Sequence, residues 1–163
     1  MVEEKNYLID KLKAAGVRGT IHTTMKSLKN CNLSHVGAVL RMNEEFTHSG
    51  SKKIYGDQKG RQRMRRKLFD RKTNLRVVIA DSDETKCEAI LESFLKEIGK
   101  GLYVEGDWVG LEVKDVEWLE DEDSILKAKI AVQFVVEFTG GIYQDNDMKQ
   151  LRLEEIEAEV TDE

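Results

Sequence analysis

Residues 75–98 decide the fold, and they read LRVVIADSDETKCEAILESFLKEI. The first six residues, Leu75–Ala80, are apolar at alternate positions on one side and largely apolar on the other. This pattern predicts a strand that is covered on both faces. Farther along, apolar residues recur three and four positions apart, which predicts an amphipathic helix over about 83–98. The buried face of this helix is predicted to contain Cys87, Ile90, Leu91, Phe94, Leu95 and Ile98.

The residues that flank this helix carry end signals. Asp81, Ser82 and Asp83 can accept hydrogen bonds from first-turn amides and suit the positive end of the helix dipole. Gly99 is typical of the position that follows a helix. The acidic cluster could also be read as a calcium site, but the glycine and terminal glutamate of an EF-hand loop are absent. Capping is therefore the favoured interpretation.

Upstream of the strand, the pattern predicts one further helix and two extended segments. The helix covers residues 3–15, with Leu8, Leu12 and Ala15 on one face and Gly16 as its end. We expect an extended segment near 21–28 and a strand over 36–42. Residues 44–74 are polar and rich in turn signals, which predicts a long, exposed hairpin.

Downstream of the helix, two further strands are predicted. In the first, Val109, Leu111 and Val113 alternate, and the phase then slips, which indicates a bulge near Lys114–Asp115. Residues 120–123 form an acidic turn. In the second strand one face is predicted to carry Ile130, Val132, Phe134, Val136 and Phe138.

We expect Gly140-Gly141 to end this strand and residues 144–163 to form a polar tail with alternating apolar residues, for which a last strand and an arm onto a neighbouring subunit both stay open. Together these elements predict an α/β (α+β) fold, with a largely antiparallel sheet, two helices packed on one face and the exposed hairpin. A length of 163 residues predicts a single domain over 1–163.

Composition narrows the class of protein. Charged residues make up 35% of the chain and the net charge is -5, which is typical of a water-soluble globular protein with no overall attraction to nucleic acid or anionic membranes. The first residues lack the apolar region of a signal peptide, and no apolar run approaches the ~18 residues of a membrane span. The two cysteines, Cys31 and Cys87, are predicted to be reduced thiols.

The strongest local signal is a basic hairpin arm in which Asp70 is the only acid. Like charges in a row repel one another, and an acidic surface or phosphates opposite them would relieve this repulsion. Three interpretations stay open: a charged edge that resists aggregation, a site for an acidic protein partner, and a nucleic-acid contact, which is disfavoured because no stacking aromatics are interleaved. The candidate interface residues are Lys59, Arg61, Arg63, Arg65, Arg66, Lys67, Arg71 and Lys72.

Sites for chemistry are weakly indicated. Gly99-Lys100-Gly101 follows a helix and does not open one, so it lacks the geometry of a phosphate loop. Cys31 and His35 have a spacing seen in metal sites, but further soft ligands are scattered. We therefore expect no metal, no cofactor and no catalytic residues, and a protein that is not an enzyme.

Several segments from Arg65 to Tyr143 resemble, in order, the tail terminator proteins of bacteriophages and phage-derived tail particles. They cover about half of the chain. The segments are Arg66–Arg71, Leu75–Ala80, the helix Cys87–Ile98, Gly101–Val109, Asp115–Trp118, Lys127–Phe134 and Gly140–Tyr143.

This resemblance implies a subunit of a hexameric ring in the virion tail, assembled in the cytoplasm of the bacterial host. The ring would cap the head-proximal end of the tail tube, stop its polymerisation and meet the neck or head–tail connector, with DNA passing through it. In a contractile tail it would also meet the sheath. Another neck or tail-completion protein is the close alternative, and a nucleic-acid-binding module using the basic arm is the distant one.

Overall fold

The computed structural model describes residues 2–120 and 130–148. Within these ranges the protein is a mixed α/β structure that consists mostly of strands. The helices are α1 (Val2–Ala14), α2 (Met25–Lys29) and α3 (Glu84–Glu97). The strands are β1 (Ile21–His22), β2 (Val36–His48), β3 (Lys52–Gly56), β4 (Gln62–Asp81), β5 (Gly101–Val104), β6 (Asp107–Glu120) and β7 (Ile130–Asp147).

The strands form one sheet in the order β1-β2-β4-β7-β6-β5, and β3 also pairs with β4. The pairs β3–β4, β5–β6 and β6–β7 are antiparallel, whereas the short β1–β2 pair is parallel. Within the described part of the chain, the ladder that spans β5, β6 and β7 is thus built from sequential strands.

Contacts divide the chain into two compact units. The first comprises residues 1–47 and 70–141, and the second comprises residues 48–69 and 142–163. Strands β2, β4 and β7 contribute residues to both units. The single domain expected from the chain length stays a prediction.

The larger core of the first unit lies where α1 and α3 meet sheet residues. Leu8 and Leu12 of α1 and Cys87 of α3 are fully buried in this cluster. The rings of Phe94 and Phe134 pack with centroids 5.3 Å apart and an interplanar angle of 51°. Every residue predicted for the apolar face of β7 contributes to this core.

A second, smaller core lies on the opposite face of the sheet and contains strand residues that alternate with those of the first core. Leu28 of α2 is buried there, and the strand residues of this cluster are Val36, Ala38, Leu40, Val78, Ala80 and Ala131. The prediction that residues 75–80 are covered on both faces is therefore confirmed. It explains why Leu75–Ala80 is apolar at almost every position.

The extended segment predicted near 21–28 is wrong beyond His22, because residues 25–29 form α2. Thr24 is the N-cap of this helix, and its side chain accepts a hydrogen bond from the amide of Ser27 at 3.2 Å. The sequence signal for this helix is a threonine, a residue favoured at the N-cap, followed by one amphipathic turn. The described fold consequently contains a third helix in addition to the two that were predicted.

Helix α3 closely matches its prediction. Asp83 is the N-cap, and its carboxylate accepts a hydrogen bond from the amide of Thr85 at 3.0 Å. The prediction for Leu95 is wrong, since this side chain is 41% exposed. Leu95 lies at the margin of the apolar stripe, where helical spacing alone does not separate buried from exposed positions.

In the last two strands the predicted bulge is confirmed, but the predicted end of β7 is wrong. The β6–β7 register shifts between Lys114 and Glu117, and Asp115 has a φ of 52°. Gly140-Gly141 does not end the strand, because β7 continues to Asp147. At Gly140 the space of a side chain is taken by Val109, 3.2 Å from where a Cβ would lie. The acidic turn beyond Glu120 and the tail beyond Met148 lie outside the described residues.

We predict that Phe94→Ala or Phe134→Ala lowers the free energy of unfolding by about 3–5 kcal/mol, because each replacement leaves a large cavity between helix and sheet. Chemical denaturation monitored by circular dichroism measures this change. Leu95→Ala is the matched control and should cost far less, since Leu95 is partly solvated. Equal effects at positions 94 and 95 would contradict the packing described here.

Candidate partner interface

The basic hairpin lies in the second unit and consists of β3, the turn after it and the first residues of β4. Lys52 pairs with Arg66, Ile54 with Met64 and Tyr55 with Arg63. In the turn, the Asp57 carboxylate accepts hydrogen bonds from the amides of Lys59 and Arg61 at 2.9 and 2.8 Å. The sequence thus folds here as the turn signals predicted.

Strand alternation divides the basic residues between two faces. Arg63, Arg65 and Lys67 project from one face of β4, whereas Arg61 precedes the strand. Arg66 projects from the opposite face, next to Lys52.

The face with Arg63 and Arg65 finds its acidic partners within the same chain. The Arg65 guanidinium donates to both carboxylate oxygens of Asp145, at 2.7 and 2.8 Å. Arg63 Nε lies 3.1 Å from Asp147 Oδ1, and Arg61 Nε lies 3.1 Å from Asp57 Oδ2. Bidentate pairs such as Arg65–Asp145 are the stronger kind, whereas Asp147 is 75% exposed and its pair contributes little.

These intrachain partners were missed by the sequence analysis. Tyr143, Asp145 and Asp147 alternate on β7, and this alternation was the available signal. The guanidinium of Arg65 also lies 5.6 Å from the centroid of the Tyr143 ring. Residues 144–147, which were predicted to belong to a polar tail, are instead the end of β7 and carry the carboxylates that pair with Arg63 and Arg65.

Hydrogen bonding shifts the acidity of these carboxyls. The side-chain hydrogen bond from Arg65 lowers the pKa of Asp145 below its ordinary 3.8. The backbone hydrogen bond from Arg61 lowers the pKa of Asp57 in the same direction. The carboxyls of Asp145 and Asp57 are thus kept deprotonated, and in this form they make ion pairs with the arginines.

Arg71 belongs to the first unit and has its own carboxylate. Its Nε donates to Glu44 Oε1 at 3.1 Å, and Arg41 donates to the other oxygen at 2.6 Å. Burial by itself raises the pKa of Glu44, but the hydrogen bonds from Arg71, Arg41 and Thr73 more than offset this, so the pKa is lowered. Arg71 is therefore part of a local network.

The other predicted interface residues differ in their surroundings. Lys67 is half-buried, with its ammonium 5.9 Å from the centroid of the Tyr143 ring. The side chains of Lys59, Arg66 and Lys72 are exposed and form no ion pair within residues 2–120 and 130–148. Lys59 and Arg66 of the second unit, and separately Lys72 of the first, thus have no carboxylate partner among the described residues.

A second candidate surface, which the sequence analysis did not single out, lies on the β5–β6 hairpin at the edge of the sheet. Tyr103 and Trp108 pair across the two strands, with ring centroids 5.1 Å apart in an edge-to-face arrangement. Their exposures of 72% and 49% are high for residues of this size. Gly101 makes the arrangement possible, because a Cβ there would lie 2.6 Å from the Trp108 ring.

The structure shows the local surroundings of two of the weakly indicated positions, and the absence of catalysis stays a prediction. His35 Nδ1 lies 2.8 Å from the Asp81 carboxylate, and its Nε2 accepts a hydrogen bond from the amide of Arg18 at 2.9 Å, so both ring nitrogens are engaged. Gly99-Lys100 links α3 to β5. No group of three or more potential metal ligands occurs among the described residues, and none of the described helices is long and apolar enough to cross a membrane.

No family model and no curated protein matches the chain. Among solved structures, the chain is similar to the sheath/tube terminator of the PVC extracellular contractile injection system in its extended state. The sequence identity is 9% and the TM-score is 0.46, over 96% of this chain and 67% of the other.

We predict that the stability of the protein falls as the pH drops below about 3.8. A carboxyl whose pKa is lowered by folding contributes fully above the unfolded value, and the contribution is lost as the pH falls through the folded value. Asp145→Asn should reduce stability at pH 7 and flatten its dependence on pH, as measured by urea unfolding at pH 7, 4 and 3. Asp10→Asn, at an exposed position on α1 without an ion pair in the described residues, is the control. Identical pH profiles for Asp145→Asn and the unmodified protein would refute the role given to this pair.

Proposed function

We propose that this chain is a structural tail protein that caps the head-proximal end of a phage-type tail tube. As a ring, most simply a hexamer, it ends tube polymerisation and offers a surface to the neck or connector, and to the sheath if the tail contracts. It acts through surfaces and not through catalysis, as a component of the tail that assembles in the host cytoplasm. The ordered resemblance from Arg65 to Tyr143 supports this function.

The observation that carries the proposal is the exposed aromatic pair on the β5–β6 hairpin. Tyr103 and Trp108 lie in one of the segments that resemble tail terminators, and β5 is the last strand of the sheet. Tyrosine and tryptophan are enriched among the residues that dominate protein–protein binding. A hairpin at the sheet edge with two such rings is suited to contact with a neighbouring subunit, and head-to-tail contact of this kind can close a ring.

Capping needs no bond chemistry. A tube grows because each ring leaves an unsatisfied surface for the next, and stacking of this kind does not close on itself. A terminator must match the tube on one side, present a different surface on the other and bind the growing end better than the next tube ring does. This is a problem of specificity between partners.

The basic hairpin is a second contact surface in this proposal, through Lys59 and Arg66. Arg61, Arg63, Arg65 and Arg71 already have carboxylate partners, which weakens the nucleic-acid alternative, since phosphates would have to displace them. A neck or tail-completion protein is the closer alternative, because such a protein would use the same kinds of surface.

Deletion of the gene is the direct test. We expect tubes of uncontrolled length in the absence of the protein, seen by electron microscopy, while tube subunits are still produced. A plasmid-borne copy should restore normal length. Tails of normal length that join heads normally would rule the function out, and normal length with failed joining would identify the neck-completion alternative.

The aromatic pair makes a separate prediction. Tyr103→Ala and Trp108→Ala together should weaken incorporation into tails by at least about 30-fold, which corresponds to a loss of about 2 kcal/mol at an interface hot spot. Quantitative immunoblotting of purified particles measures incorporation. Leu95→Ala, which removes another exposed apolar side chain, is the control. Wild-type incorporation of a folded double variant would exclude the aromatic pair from the interface.

A further inference from the structure

Strand β3 has one edge that no described strand covers. Within the described residues it pairs with β4 alone. The amide of Lys67 donates to the carbonyl of Ser51, and the amide of Asp57 donates to the carbonyl of Arg61. In an antiparallel ladder the bonded positions alternate, so the backbone groups of Lys52, Ile54 and Gly56 point away from β4.

The face beside this edge is basic and apolar. The cross-strand pairs Lys52–Arg66 and Ile54–Met64 share it, and Ile54 is 58% exposed. Lys52 and Arg66 are exposed and form no ion pair in the described part of the chain.

The acids that the structure describes in the second unit lie on the other face. Asp145 and Asp147 contact Arg65 and Arg63, so alternation places Ile142, Gln144 and Asn146 of β7 on the face of Arg66. Asp57 also contacts the Arg61–Arg63 side. The described residues of this unit therefore leave the positive charge of Lys52 and Arg66 without a carboxylate on their own face.

The uncovered edge of β3 and the basic, apolar face beside it together favour one kind of ligand. Edge lysines repel a second copy of the same edge, which is why they protect against aggregation. The same charges favour an extended segment whose side chains are acidic, because its backbone completes the ladder while its carboxylates meet Lys52 and Arg66. A phosphate chain would satisfy the charges but not the alternating amides and carbonyls.

We propose that the β3 edge is a strand-addition site for an acidic, extended segment of a partner chain. The backbone groups of Lys52, Ile54 and Gly56 provide the ladder, the Ile54–Met64 strip receives an apolar side chain, and Lys52 and Arg66 select the charge. The inference does not depend on the tail function proposed above.

The test uses a fluorescent peptide with the sequence of residues 149–163, which has six carboxylate side chains against Lys149 and Arg152 and interleaves them with apolar residues. We expect saturable binding to the full-length protein that weakens with salt. Ile54→Pro should weaken binding at least tenfold, because it removes an outward amide without breaking a bond to β4. Ile54→Ala is the matched control, since it keeps the amide and should bind nearly as the unmodified protein does.

The charge requirement has its own variants. Lys52→Glu with Arg66→Glu should also weaken binding at least tenfold, whereas Lys26→Glu with Lys86→Glu, the same charge change on α2 and α3, should not. These variants decide the question if Ile54→Pro does not fold. The proposal is overturned by an absence of saturable binding, by equal binding of a peptide with its acids replaced by lysine, or by equal affinities of the folded Ile54→Pro and Ile54→Ala proteins.

Discussion

Burial of β4 on both faces is the constraint on which the rest of the structure depends. Leu75, Val77 and Ile79 face the core that contains α1 and α3, while Val78 and Ala80 face the core that contains Leu28 of α2. A strand in this position must be apolar at nearly every buried residue. Its polar and charged side chains are therefore found at its two ends. Asp81 and Asp83 accordingly bind His35 and cap α3 at one end. At the other end, β4 becomes a polar ladder of arginines.

The sequence predicted those helices and strands that are long enough to show a regular repeat of apolar residues on their own. Helix α3 and the apolar face of β7 have such periods, and their pairing through Phe94 and Phe134 follows from two strong patterns facing each other. Helix α2 was missed because five residues are too short to show a period. The continuation of β7 past Gly140 was missed because it depends on a pairing with β4 about 80 residues away in sequence.

The candidate site shows the same limit. Counting charges located the basic arm, but a count cannot distinguish an arginine that is neutralised within the chain from one that is available. Arg65 and Arg66 are neighbours in sequence, yet one binds Asp145 bidentately and the other lies exposed beside Lys52. Strand alternation places them on opposite faces, and the partner that each one meets depends on the register of the folded sheet. The aromatic pair was overlooked for the same reason, since Tyr103 and Trp108 become a single surface only through their cross-strand pairing.

The bidentate Arg65–Asp145 pair has a consequence for the cost of association. An arm that carried free arginines would have to order several long side chains when a partner arrives, at about 0.5–1.5 kcal/mol for each one immobilised. Here the carboxylates of β7 and the Tyr143 ring hold Arg65 in place beforehand. The Arg65 side chain is therefore already ordered before a partner arrives, and a partner at the opposite face has to order only the side chains of that face, such as Lys52 and Arg66.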